Sequence, residues 1–175
     1  LGLPDSLLGS AWPTVYPQLD VPVSYAGIIS MIVALGTIVS SLQSDRLTRR
    51  LGTGQVTAVS VAMTAVALWG FSVSNAFWQL CLWAVPYGLG AGSVDASLNN
   101  YVALHYKSKH MSWLHSVWGV GTIVSPFIMG YALTNKTWHS GCRIVGAIQL
   151  AIAILLLVTL PVWKVHTATD EPEKK

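Results

Sequence analysis

The sequence predicts an all-α membrane protein, a six-transmembrane-helix bundle built of two inverted three-helix repeats. Three observations carry that prediction. The 175 residues are 53% hydrophobic and only 10% charged, with eight tryptophans and a mean hydropathy of +0.54. A soluble domain carries about 25% charged residues, so a water-soluble core of this size does not account for so little charge. The apolar residues gather into six stretches joined by short polar segments, and the pentapeptide Gly-Thr-Ile-Val-Ser occurs twice, at 36–40 and 121–125.

The stretches follow in order. Residues 1–18 form a first helix, kinked by Pro4 and Pro13, with Pro17 near its exit. Its opening residues, Leu1-Gly2-Leu3-Pro4, already read as membrane sequence, so further residues are expected upstream. Then come Ser24–Leu42, Val56–Ser74, Phe77–Leu104, Met111–Leu133 and Cys142–Trp163. A crossing needs about 20 apolar residues, and proline and glycine are tolerated inside one because neighbouring helices re-satisfy the backbone. Short loops make successive helices antiparallel neighbours. Residues 1–163 thus form the bundle, and 164–175, KVHTATDEPEKK, a polar cytoplasmic linker or tail.

Eight of the ten basic residues fall on one side: Arg46, Arg49 and Arg50 in loop 43–55, Lys107 and Lys109 in loop 105–110, and Lys164, Lys174 and Lys175 in the tail. Lys136 and Arg143 fall on the other. The positive-inside rule makes the first side cytoplasmic and the chain a multi-pass protein of the plasma membrane, a bacterial inner membrane. Trp78, Trp138 and Trp163 sit at span ends, where belt tryptophans belong. The scattered basic residues give no nucleic-acid face. Cys81 and Cys142 lack the spacing of a metal or disulfide motif. Neither His-Glu-x-x-His nor Gly-x-Ser-x-Gly occurs, which speaks against an enzyme, and no cofactor is expected beyond a proton gradient.

Besides the pentapeptide, Asp5-Ser6-Leu7 is echoed by Asp95-Ala96-Ser97-Leu98, at offsets of 85 and 90 residues respectively. Three spans followed by three cannot share one orientation, so the repeats are inverted, as in secondary transporters. A carboxylate near the bilayer centre costs about 2.5–3.5 kcal/mol on insertion scales, so Asp95 must face a wet cavity or a partner. Gly88, Gly92, Asp95 and Asn99 share one helix face, as do Asp5, Gly9, Trp12 and Tyr16. The fifth span folds back to bring Trp118–Thr122 level with Asp95, with His115 a turn closer to the cytoplasm, and Gln149 is an amide within the sixth span. Asp5 and Asp95 are therefore expected to couple protons, because a desolvated carboxylate can load and release one. Trp12, Asn99, His115, Trp118 and Gln149 are expected to bind substrate in one space shared with both acids. Aromatic planes beside hydrogen-bonding groups suit a small polar solute such as a sugar.

The segment SLQSDRLTRR, residues 41–50, resembles the signature Gly-x-x-x-Asp-Arg-x-Gly-Arg-Arg between the second and third helices of major facilitator superfamily transporters. Asp45, Arg46, Arg49 and Arg50 match; Ser41 and Thr48 replace the two glycines. The resemblance implies a cytoplasmic gate, in which Asp45 accepts hydrogen bonds from a helix N-terminus of the other half and from arginine. It covers the N-terminal six-helix half of a twelve-helix transporter, with the second half in the same polypeptide or a homodimer partner. Asp5 and Asp95 look similar to the paired acids of fucose-type proton–sugar symporters, which implies proton-coupled sugar uptake by alternating access. Two departures stand out. Ala84 occupies a place where many members carry arginine, and Gly121-x-x-x-Ser125-Pro126 with Gly130 resembles a fifth-helix motif of antiporters. A drug or metabolite antiporter is therefore the alternative, and a non-transporting six-helix subunit a further one.

Overall fold

The computed structural model describes residues 2–161 and 163; Leu1 and the tail assigned to 164–175 lie outside the described residues. Seven helices follow one another: α1 (Gly2–Asp5), α2 (Leu7–Gln18), α3 (Tyr25–Leu51), α4 (Thr53–Ser72), α5 (Phe77–His105), α6 (Ser108–Asn135) and α7 (Trp138–Val158). No strand occurs among the described residues.

Together α1 and α2 make the first span. Ser6 separates them with φ −97° and ψ −1°, in the bridge region just outside helical geometry. The break falls beside Asp5, between the kinks expected at Pro4 and Pro13.

The expected loop 43–55 is largely helix. No glycine or proline interrupts the chain between Thr37 and Leu51, so α3 runs on beyond the apolar stretch, carrying Asp45, Arg46, Arg49 and Arg50 on its last turns. An Asp45–Arg49 ion pair at 3.1 Å, one turn apart, supports that extension. The reversal is left to Gly52 alone, at φ +83° and ψ 152°, a conformation glycine adopts freely and L side chains rarely do. Its N–H closes the helix on the Thr48 carbonyl at 2.8 Å. Loop 105–110 likewise shrinks to Tyr106 and Lys107, and Lys109 lies in the first turn of α6. The fifth and sixth spans begin earlier than hydropathy places them, at Ser108 and Trp138.

Among the described residues four helices, α3, α4, α6 and α7, are long and apolar enough to cross a membrane. Helix α5 has 29 residues, but Gln79, Pro86, a glycine run and the polar group at Asp95–Asn100 dilute its apolar content. Large apolar side chains are exposed along α3 and α6, among them Leu35, Ile38, Leu42, Val117, Ile123 and Phe127. Such continuous apolar surface marks a lipid or protein contact.

The packing keeps an internal two-fold. Helix α5 lies against α3 and α4, α1 and α2 lie against α6, and α4 packs on α7. Exchanging the first three spans for the last three carries the α3–α5 contact onto the contact of α6 with the first span. The two copies of the pentapeptide sit at the corresponding crossings. A Cβ on Gly88 would strike the Val33 backbone, and one on Gly36 would lie 3.1 Å from the Leu89 nitrogen. In the other repeat, a Cβ on Gly2 would strike the Trp118 carbonyl, and one on Gly121 would lie 2.8 Å from the Leu3 nitrogen. Val33 and Gly36 are each 85 residues before Trp118 and Gly121, while Gly2 is 86 before Gly88. This register places Ala91, and not Asp95, at the position equivalent to Asp5. The two acids therefore sit one helical turn apart within the repeat, a correction to the echo expected between them.

Hydroxyls stitch the close crossing of α3 and α5. Thr37 donates to the Gly88 carbonyl at 3.3 Å, Ser41 to Gly92 at 3.2 Å and Ser44 to Ser93 at 3.3 Å. Across the other crossing, Ser6 donates to the Thr122 carbonyl at 2.8 Å. Small residues let helix backbones approach closely enough for such bonds, which are worth about 0.6 kcal/mol each on average within membranes.

Candidate functional site

The shared face of Gly88, Gly92, Asp95 and Asn99 can meet another helix closely or line a cavity, and the structure divides it between the two. The glycines bury themselves against α3, and the polar pair turns away from that seam into an open space. The reason is steric: glycine is what α3 needs to come close, so the small and polar parts of the stripe serve different neighbours.

Two cavities flank the first span rather than the one shared space expected. The first, about 310 Å³, is lined by Asp5, Leu8, Gly9 and Trp12 from the first span and by Ile29, Ser30 and Val33 from α3, with Phe71, Tyr87 and Cys142 among its other walls. The second, about 550 Å³, is lined by Val94, Asp95, Leu98 and Asn99 from α5 and by Leu114, His115 and Trp118 from α6, with Gly2 and Leu3 at its edge. The second lies toward the end of the bundle that carries Lys107 and Lys109, and the first toward the opposite end.

The register of the repeat makes these cavities counterparts. Leu8, Gly9 and Trp12 correspond to Val94, Asp95 and Leu98, each 86 residues on, and Ile29, Ser30 and Val33 to Leu114, His115 and Trp118, each 85 on. Their chemistry has diverged. Where the second cavity holds Asp95 and His115, the first holds Gly9 and Ser30, and Asp5 is its one acid.

Asp5 lies where the cavities approach each other. Tyr87 on α5 donates its hydroxyl to Oδ1 at 2.8 Å, and Trp118 on α6 donates its indole N–H to Oδ2 at 2.9 Å. The carboxylate is exposed, whereas Tyr87 is buried. A carboxylate accepts hydrogen bonds on both oxygens, and charge-assisted bonds of this kind are stronger than neutral ones. The acid on the first span is therefore tied to two other helices while one side stays open to the first cavity. Asp95 is also exposed, and it lines the second cavity together with His115.

The other expected site residues divide. Asn99, His115 and Trp118 line the second cavity with Asp95. Trp12 lines the first but is buried, with its indole N–H committed to the Val23 carbonyl at 2.8 Å. Gln149 lines neither of these two cavities; it is buried between α7 and α4 and donates to Thr64 at 3.5 Å. Its amide is inward-facing because α7 packs on α4 along that face, not on the first span. Asp45, Arg46, Arg49 and Arg50 stand together and exposed at the end of α3. Tyr87 is not among the residues expected from sequence. A phenol in mid-span needs a partner for its hydroxyl, and that need is the one signal the sequence carries for it.

No group of three or more His, Cys, Asp or Glu side chains among the described residues is placed to hold a metal ion.

Comparison with known proteins matches this architecture. The chain is 22% identical over 172 residues to bypass of stop codon protein 6 of Saccharomyces cerevisiae, covering 96% of the chain and 34% of that protein. It is 25% identical over 178 residues to the multidrug efflux pump SdrM of Staphylococcus aureus, covering 97% and 38% respectively. It is 26% identical over 168 residues to the 4-hydroxybenzoate transporter PcaK of Pseudomonas putida, covering 91% and 37%. The chain thus spans a little over a third of the length of these relatives. The profile of the Major Facilitator Superfamily matches residues 1–175, the whole chain. With several span-length apolar helices, these matches make it a multi-pass membrane protein, and the chain belongs to the Major Facilitator Superfamily.

Proposed function

We propose that the chain forms one six-helix half of a secondary active transporter that couples uptake of a small polar solute, of the sugar class, to protons. Residues 1–163 are the bundle and 164–175 a linker or tail. The observation that supports this reading best is the disposition of the acids. Asp5 keeps one side open to a cavity while two helices hold its oxygens, and Asp95 shares a second cavity with His115 and Asn99. In this reading Asp5 and Asp95 exchange protons, and Trp12, Asn99, His115 and Trp118 contact solute. Gln149 acts through packing.

A second six-helix half, from the same polypeptide or a second copy, completes the site, and rocking of the halves gives alternating access. The exposed apolar faces of α3 and α6 offer surface for that half and for lipid. The basic end faces the cytoplasm of a bacterial inner membrane, and the cluster of Asp45, Arg46, Arg49 and Arg50 there latches the cytoplasmic side.

The second reading is proton-driven export of a drug or metabolite. The 25% identity to a multidrug efflux pump and the aliphatic and aromatic walls of the first cavity favour it. Proteoliposomes of the transporter containing this chain separate the two. Addition of a sugar from a panel should draw protons inward under the first reading. Protonmotive export of an apolar cation, with no response to any sugar, overturns it in favour of the second.

A further inference from the structure

The segment Gly2–Asp5 of α1 lies hard against Trp118–Thr122 of α6. Gly2 meets the Trp118 backbone, Gly121 meets Leu3, and Ser6 donates to the Thr122 carbonyl. This contact stands between the two cavities: Gly2, Leu3 and Trp118 line the second, and Pro4 and Asp5 line the first. The backbones meet directly at this crossing, because Gly2 and Gly121 carry no side chain there. The movable element is the Trp118 indole, which lines the second cavity yet donates across the seam to Asp5 at 2.9 Å.

We propose that Trp118 is the partition between the two symmetry-related cavities, held shut by the Asp5 carboxylate, and that proton uptake by Asp5 releases the indole and joins the cavities. The proposal rests on the reading of Asp5 as a proton-exchanging group. It assigns to Trp118 a positioning role, where the transport reading assigns it solute contact alone.

A carboxylate accepts from both Tyr87 and Trp118 at once. Protonation removes the negative charge: the Tyr87 hydroxyl, which accepts as well as donates, can turn to take the new proton's hydrogen bond, while the donor-only indole is left with a weaker, neutral acceptor. Tyr87 is buried and anchored in α5, whereas Trp118 is about half exposed, at 47%. The indole is therefore the arm that leaves. The ionisable groups around this point are few. Asp95 and Tyr87 face it from α5, His115 lines the second cavity from α6, and Cys142 of α7 lines the first. The walls contributed by α3 and α4 carry no ionisable side chain. The asymmetry of the repeat supports the assignment, since Val33 occupies the counterpart position of Trp118 and its side chain has no donor.

The test uses Ser30→Cys, at an exposed position of α3 that lines the first cavity, as the reporter, because Cys142 is itself fully buried. Cys81 and Cys142 are changed to Ser, any cysteine of the second half is removed, and the whole transporter is reconstituted in liposomes with known sidedness. A membrane-impermeant maleimide is then applied from the basic end, and separately from the other. With Asp5 ionised, labelling from the basic end should be slow. Asp5→Asn and Trp118→Phe should each raise it about ten-fold or more, the scale expected for losing a hydrogen bond to a charged group, with little change from the other end. Because Asp5→Asn risks misfolding, Trp118→Phe, which keeps an aromatic ring and loses the donor, serves as the second variant. Equal acceleration from both ends means general loosening, and unchanged labelling in a folded Trp118→Phe means no partition; either result overturns the proposal. Proton-coupled uptake is measured on the same vesicles. Unmoved labelling alongside lost coupling in Asp5→Asn removes the partition and leaves the transport reading standing. Accelerated labelling alongside intact coupling removes Asp5 as the proton-exchanging group and overturns the proposed trigger with it.

Discussion

Tyr87 donates its hydroxyl to Asp5 at 2.8 Å across 82 residues of chain, linking the fourth span to the first. The bond is made from a buried phenol to an open carboxylate, so the protein holds the acid in place without enclosing it. Tyr87→Phe should lower unfolding free energy in mild detergent by about 1 kcal/mol, between the membrane average for such bonds and the larger figure for a charged partner. Tyr131→Phe, at an exposed position, should leave it unchanged. Denaturant titration followed by tryptophan fluorescence checks both.

The glycine crossings make a paired prediction. Gly88→Leu and Gly121→Leu should each destabilise the bundle by about 1–3 kcal/mol or block folding, because the new side chain must push the packed backbones apart. Gly9→Ala and Gly119→Ala, where a Cβ meets open space, should be neutral or stabilising, since alanine favours helix over glycine. Monodispersity on size exclusion and melting temperature report the result.

Asp45 and Arg49 form an ion pair whose side chains are 62% and 78% exposed respectively. Exposed pairs contribute about 0–1 kcal/mol, so Asp45→Asn should barely move the melting temperature. If the cluster acts as a latch against a second half, the same substitution should cut uptake at least roughly ten-fold. A stability loss that parallels the loss of uptake would reduce Asp45 to a structural helix-end residue.

Gln149 tests the division between packing and binding. Its amide is buried against Thr64 and away from both cavities. Gln149→Leu, similar in volume, should change stability by about 1 kcal/mol or less and leave the solute concentration for half-maximal uptake unaltered. A shift in that concentration, measured in vesicles, would return Gln149 to the binding site.

The span pattern and the internal repeat are legible because apolar runs and glycines carry their physics locally. The six stretches become helices, and both copies of Gly-Thr-Ile-Val-Ser mark helix crossings. What is not legible depends on which helices become neighbours. Gln149 looks like any mid-span amide until α7 is seen to pack on α4. Gly88 and Asp95 share a face in projection, yet α3 takes the first and leaves the second open. The matching letters around Asp5 and Asp95 suggest equivalent acids, and only the glycine contacts reveal the one-turn shift. Residues 43–51 read as loop because hydropathy falls there, although a helix persists until a residue breaks it, here Gly52.

The central claim, that Asp5 and Asp95 link solute movement to protons, is tested most directly by comparing two fluxes in vesicles of the whole transporter. Wild type should show solute-driven proton entry together with solute counterflow. Asp95→Asn and Asp5→Asn should keep measurable counterflow, which needs no net proton movement, while solute-driven proton entry disappears. Proton entry of wild-type size per solute in both variants would contradict the account.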